Sequence, residues 1–187
     1  MKILITYALE EERGQIQLPD FIVAYSCTGV GKVSTAINTY EALLKERPDM
    51  VMNIGTAGTL HHQVGEIVIC SHFFDRDLEK IAHLGVSFKI SFSEVLLHAG
   101  GLKNLLSTGT VSTGDTFLTD LSESDSHADV FDMEAFAAAQ VCQKLDIPFF
   151  SVKYVTDVIG QNSIKHWEEK LEDAREGLAE FLNTIRF

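Results

Sequence analysis

The chain has 187 residues, of which 45% are hydrophobic and 22% charged, enough for one globular domain with a sizeable buried core. Its 15 Lys and Arg stand against 27 Asp and Glu, a net charge of −12. Such a surface repels nucleic-acid phosphates and anionic lipid, so neither nucleic acid nor membrane is an expected partner. The three cysteines, Cys27, Cys70 and Cys142, lie far apart and form no CxxC pair. That usage predicts reduced thiols in a cytoplasmic protein rather than a disulfide frame or a zinc site.

Residues 2–8 (KILITYA) read as a first strand, because glutamates at 10–12 follow where a signal peptide would need a longer apolar core. No run reaches the roughly 18 apolar residues of a membrane span. A second β-rich run at 21–27 (FIVAYSC) leads into an amphipathic helix. Its apolar residues Val30, Val33, Ala36, Ile37, Tyr40, Leu43 and Leu44 recur at helical steps until Pro48 stops the pattern. The run at 49–54 (DMVMNI) is almost continuously apolar, as a strand covered on both faces should be. Further strands are predicted at 66–73, 108–113 and 148–155, with a helix at about 133–145 after the candidate cap Asp132. The last segment places Ile164, Trp167, Leu171, Ala174, Leu178, Phe181 and Ile185 on one stripe of a packing helix, with glutamates and Asp173 on a solvated face. Nothing marks a linker, so residues 1–187 are expected to form a single domain. Alternating strands and helices predict an α/β sandwich with a largely parallel sheet and a ligand site at the carboxyl ends of its strands.

Several motifs fail on inspection. In Gly29-Val30-Gly31-Lys32 the third glycine of a dinucleotide fingerprint is replaced by Ser34, and a Walker A loop fails at Ser26 and Val33. The two glycines serve equally a tight strand-to-helix turn or contact with an anion or ligand. His61 and His62 are adjacent and therefore point apart, so a surface loop is expected there rather than a metal site. No GxSxG elbow or catalytic cysteine context is present.

Separated segments taken together resemble the 5′-methylthioadenosine/S-adenosylhomocysteine nucleosidases of the purine nucleoside phosphorylase superfamily. They are ALEEE at 8–12, TGVGKVSTA at 28–36 with NIGTAG at 53–58, VSTGDTFL at 111–118, and FDMEAFAAAQVC at 131–142 followed by VKYVTDV at 152–158. The resemblance implies a three-layer α/β/α sandwich around a mixed sheet, a homodimer, and a small-molecule purine nucleoside and water as partners, with no cofactor and no metal. It matches Glu12 to the carboxylate that deprotonates the attacking water, and Asp157 to the acid that protonates N7 of the leaving adenine. Glu134 and the backbone of Met133 match the ribose contact. Thr56 and Gly58 lie in the loop near sugar and water, and Phe117 and Leu118 match the pair that holds the base. Read alone, Glu10–Glu12 would be a helix-start charge cluster, Asp157 a loop or cap residue, and Phe117 and Met133 core residues.

These residue types suit the chemistry. Breaking an N-glycosidic bond leaves an oxocarbenium-like sugar and a purine anion, so protonating the base lowers the barrier most. Glu134, in the first turn of a helix, is expected to stay ionised at the positive dipole end and accept ribose hydroxyls. Lys153 stands where many relatives carry arginine, Asp132 where they carry glutamate, and the chain is shortened before TGVGK and between NIGTAG and VSTGD. The 5′ substituent therefore stays open. The rival readings are a phosphorylase or a futalosine hydrolase of the same superfamily, and a silent nucleoside-binding protein.

Overall fold

The computed structural model describes residues 1–92, 109–119, 127–161 and 163–184. In chain order the elements are β1 (Lys2–Tyr7), a 3-10 turn at Glu10–Glu12, β2 (Ile22–Cys27), α1 (Lys32–Glu46), β3 (Met50–Thr59) and β4 (Ile67–Asp75). Next come α2 (Arg76–Glu79), a 3-10 turn at Ala82–Leu84, β5 (Lys89–Ser91), β6 (Gly109–Thr113) and β7 (Val130–Asp132). The last are α3 (Ala135–Lys144), β8 (Phe149–Val158) and α4 (Ser163–Thr184). Ile185 of the expected terminal stripe, and residues 93–108 of the shortened stretch before VSTGD, lie outside the described residues.

The sheet is mixed. β2, β1, β3 and β8 pair in parallel, as do β4, β6 and β7, while β4 runs antiparallel to β8 and to β5, and β3 antiparallel to β7. Five of the eight strand pairings among the described residues are parallel, so the largely parallel expectation holds, and the three antiparallel pairings make the sheet mixed. Because β3 pairs with both β8 and β7, the strands β3, β8, β4, β6 and β7 close on themselves. The ring brings the carboxyl ends of β3, β6 and β8 around one space. β3 and β8 are the long central pair, buried over most of their length, as their apolar runs require. α1 and α3 pack on each other and on the sheet, and α4 covers β3 and β8, giving an α/β/α arrangement. Phe73 and Phe92 pack on Phe149, with centroids 5.0 and 5.7 Å from its ring, and anchor the core beneath α3.

Two local features depart from the pattern reading. An amphipathic helix normally buries its apolar face, but α1 buries Thr35, Thr39, Ala42 and Leu43. Val33 (71% exposed), Ile37, Tyr40 and Leu44 (56%) face outward. The stripe is real, and nothing among the described residues covers it. The glycine-rich turn before α1 needs its glycines for conformation, since Gly29 and Gly31 have φ of +76° and +85°. The freed N–H groups there meet the chain's own carboxylates, Gly31 N donating to Glu134 at 2.9 Å and Lys32 N to Asp115 at 2.9 Å. At α3 the helix starts two residues later than its expected boundary, yet Asp132 still acts at its start by accepting the Ala135 N–H at 2.9 Å.

Candidate active site

The carboxyl ends of the ring strands enclose a cavity of about 150 Å³, and its lining is mostly apolar. Glu12, Thr56, Gly58, Phe117, Leu118, Met133, Glu134 and Asp157 all line it. Every candidate named from the sequence is therefore brought to one place, from segments that are far apart in the chain.

Glu12 ends the 3-10 turn that follows β1 and is 4% exposed. Its Oε2 accepts the N–H groups of Ala8 and Leu9 at 3.1 and 3.2 Å, and its Oε1 accepts the N–H and the hydroxyl of Thr56, both at 2.9 Å. Glu10 and Glu11 are exposed. The chain can bring this carboxylate so close to β3 because Gly55 has no side chain, and a Cβ there would lie 3.0 Å from Glu12 Oε1. Gly58 has the same role toward the other acid, its absent Cβ lying 3.0 Å from Asp157 Oδ2.

Asp157 is 1% exposed near the end of β8. Val155, two residues earlier, belongs to the main core, and in a regular strand the two side chains would share one face. They do not, because β8 carries an extra residue against β3: Ala57 pairs with Val155 and Gly58 with Asp157, leaving Thr156 as a bulge. The bulge re-aims Asp157 into the pocket. Thr156 then donates its hydroxyl to Asp157 Oδ1 at 2.9 Å.

Glu134 is the residue before α3, but its carboxylate makes no capping bond to its own helix. Burial, then the charge of Asp132, push its pKa up to about 7, against the opposing pull of Lys153 and the Gly31 N–H. The expectation that Glu134 stays ionised is corrected here. Its helix end is already served by Asp132, and burial outweighs the dipole. Asp132 in turn pairs with the fully buried Lys153, Nζ to Oδ2 at 2.8 Å. Burial alone would drive Lys153 toward neutrality, but Asp132 and Glu134 outweigh it and raise its pKa.

Leu118 is buried against Ala128, Phe131 and Ile159. Phe117, by contrast, is 37% exposed and stands edge-on to Trp167, centroids 6.1 Å apart, so it is a wall of the pocket and not a core residue. Sequence reasoning missed Trp167, assigned there to helix packing, and Arg76, both of which line the cavity. Arg76 is the sole cation among the described lining residues. Its NH1 donates to the carbonyls of Ser112 (2.7 Å) and Asp132 (2.9 Å), and its NH2 to those of Gly114 (3.2 Å) and Thr116 (2.6 Å). It ties the segment before Phe117 to the segment before Glu134. The one signal it offered was a basic residue directly after a strand. Lys32, a further cation of the region, is engaged by Asp75, Asp77 and Asp115. His62, outside the pocket, lies between Glu66 and Asp129 in a partly exposed loop.

The cations named near the cavity, Arg76, Lys32 and Lys153, are thus all committed, and the cavity presents carboxylates set in apolar walls. That suits a neutral, flat, partly apolar ligand and a proton-transfer reaction better than an anion.

Comparison with known proteins agrees with this arrangement. A family model described as the phosphorylase superfamily matches residues 21–185. The 5′-methylthioadenosine/S-adenosylhomocysteine nucleosidase of Bacillus velezensis is 30% identical over 181 residues, covering 85% of this chain and 78% of that relative. The protein of the same name from a Geobacillus species is 29% identical, covering 99% of this chain and 97% of the relative. The crystal structure of such a nucleosidase from Colwellia psychrerythraea in complex with adenine superposes with a TM-score of 0.81 at 26% identity, over 98% of this chain and 93% of that one. The chain belongs to the phosphorylase superfamily, in its 5′-methylthioadenosine/S-adenosylhomocysteine nucleosidase family.

Proposed function

We propose that this chain hydrolyses the N-glycosidic bond of an adenine nucleoside with a 5′ thio-substituent, 5′-methylthioadenosine or S-adenosylhomocysteine, and releases free adenine. The carrying observation is that Glu12, Asp157 and Glu134 converge on one apolar cavity whose only lining cation among the described residues, Arg76, is committed to backbone carbonyls. Glu12 takes a proton from water as its oxygen bonds to the anomeric carbon. The carbon–nitrogen bond breaks with its electron pair passing to the purine, which Asp157 protonates at N7. Glu134 and the Met133 backbone hold the sugar hydroxyls, and Phe117 and Leu118 hold the base. General acid and general base each contribute roughly 10²–10⁴-fold.

Water rather than phosphate is the nucleophile. A unit charge about 6 Å from a like charge costs roughly 3 kcal/mol at an effective dielectric near 20, and no free lining cation offsets it. The reading extends to residues 1–187 as one domain, in a cytoplasmic enzyme of thioether-nucleoside salvage. It also extends to a homodimer, supported by the uncovered apolar face of α1, which includes Val33, Ile37 and Leu44. Sedimentation of Ile37→Asp against the parent protein tests the dimer, a monomeric variant being the expected result.

The purified protein should release adenine and a reducing sugar from either nucleoside in phosphate-free buffer, with no rate increase on adding phosphate. Appearance of a sugar 1-phosphate would instead establish a phosphorylase. Intact adenine nucleosides together with hypoxanthine released from futalosine would keep the chemistry and replace the substrate. Binding without cleavage of any of them would make the chain a nucleoside-binding protein.

A further inference from the structure

Thr56 sits between the base Glu12 and a side chain that arrives from a different layer. Trp167, near the start of α4, points its indole Nε1–H at Thr56 Oγ1, 2.9 Å away. An indole nitrogen donates and never accepts, so Thr56 Oγ1 is the acceptor of that bond. The Thr56 hydroxyl carries one proton, and its other near neighbour is Glu12 Oε1 at 2.9 Å, which accepts. The direction of the chain is thereby fixed: indole N–H to threonine oxygen, threonine O–H to carboxylate. Trp167 is itself held by the edge contact with Phe117 and by the packing of α4 on β3 and β8.

We propose that Trp167 is a positioning residue for the nucleophile, acting through Thr56. With its proton committed to Glu12, Thr56 Oγ1 can meet a water in the pocket only as an acceptor. A water placed against Glu12 and Thr56 then gives one hydrogen to each of them, and its lone pair is left facing the sugar. Were the hydroxyl free to rotate, it could donate to that lone pair and occupy the orbital that must attack. The indole N–H fills one of the positions around Thr56 Oγ1 and so confines the hydroxyl proton to Glu12 or the water, of which the carboxylate is the stronger acceptor. The proposal rests on the nucleosidase reading, since it assigns a water to Glu12. It assigns Trp167 no contact with the reacting atoms.

The test separates orientation of the nucleophile from simple shaping of the pocket. Trp167→Phe keeps an aromatic wall and removes the donor. We expect kcat to fall about five- to tenfold, the value of one hydrogen bond, while adenine binding by calorimetry stays within about twofold. In a Thr56→Val background, where no hydroxyl remains to be oriented, adding Trp167→Phe should change kcat by less than about twofold. Because Trp167 is the chain's one tryptophan, replacing it throughout with benzothienylalanine removes the N–H at constant shape, which covers the case in which the phenylalanine variant folds poorly. An unchanged kcat in the shape-matched protein overturns the proposal, as do losses that multiply in the double variant. If the parent protein cleaves no nucleoside, the nucleosidase reading falls and this inference falls with it. If the parent cleaves and the variants match it, only the inference falls.

Discussion

Two buried carboxylates that line the cavity, Glu12 and Glu134, are held in different ways. At Glu12, Ala8, Leu9 and both donors of Thr56 converge on one side chain. At Glu134, Gly31 N is the one donor to the carboxylate among the described residues, Asp132 adds a like charge, and the pKa rises to about 7. Both residues are buried, and they differ in the number of fixed donors they receive. A carboxylate held by four donors has a fixed orientation, as a group that must meet a water requires. A carboxylate with one donor keeps acceptor capacity for sugar hydroxyls and responds to pH near neutrality.

Changes at Glu12 and Asp157 should accordingly strike turnover, and changes at Glu134 should strike binding. The largest effect belongs to Asp157→Asn, which keeps shape and removes the acid. We expect kcat at least ~10²-fold lower with little change in thermal unfolding. Near-normal turnover would remove Asp157 from the mechanism. Glu12→Gln should lose turnover to a similar degree yet still bind adenine by calorimetry, because the amide can hold a water without taking its proton. Should Glu10→Gln abolish activity while Glu12→Gln retains it, the wrong member of the acidic run has been assigned.

The Lys153–Asp132 pair adjoins Glu134, and its loss should strike stability before either function. Lys153→Met leaves Asp132 buried and uncompensated, a change worth about 3–5 kcal/mol, read as a shift of the urea midpoint at constant slope. Adding Asp132→Asn should recover part of that loss, since the uncompensated charge is then gone. Two single losses that simply add would show that the pair is not the unit the structure makes it.

Much of this arrangement was legible before the structure. Short β-rich runs located β1 to β4, β3 most clearly because a doubly covered strand is apolar throughout, and the short β5 and β7 escaped because three residues carry no period. The site candidates were legible through their segments, but their aim was not. A regular strand would have pointed Asp157 with Val155 into the core, and the bulge at Thr156 arises from pairing with β3, which no local signal announces. The stripe of α1 was visible, but whether a stripe faces the core or another surface depends on what covers it, so Val33 and Ile37 were found without their orientation. Arg76 and Trp167 escaped for a related reason. Each acts through groups far away in sequence, Arg76 through carbonyls between Ser112 and Asp132 and Trp167 through Thr56.

The smallest predicted effect is also the sharpest probe of the contrast between Glu12 and Glu134. Glu134 was expected to be ionised at neutral pH, and its pKa of about 7 makes its charge state depend on conditions near neutrality. Above pH 7 the group is an anion that accepts hydrogen bonds from sugar hydroxyls. Below pH 7 it takes up a proton, and the charge-assisted bonds, worth about 1.5–3 kcal/mol each, become neutral ones worth about 0.5–1.5. Affinity for an intact nucleoside should therefore weaken as pH falls through 7, by about fivefold for a difference near 1 kcal/mol, and level off below the transition. Adenine has no sugar and should show no such step. Nucleoside binding, by favouring the anion, should also lower the pKa and release protons, so the calorimetric heat near pH 7 should vary with the ionisation enthalpy of the buffer. Glu134→Gln should bind the nucleoside more weakly at high pH and abolish both the step and the buffer dependence. A step of equal size for adenine would place the titrating group against the base, and would dissolve the division of labour drawn between the two carboxylates.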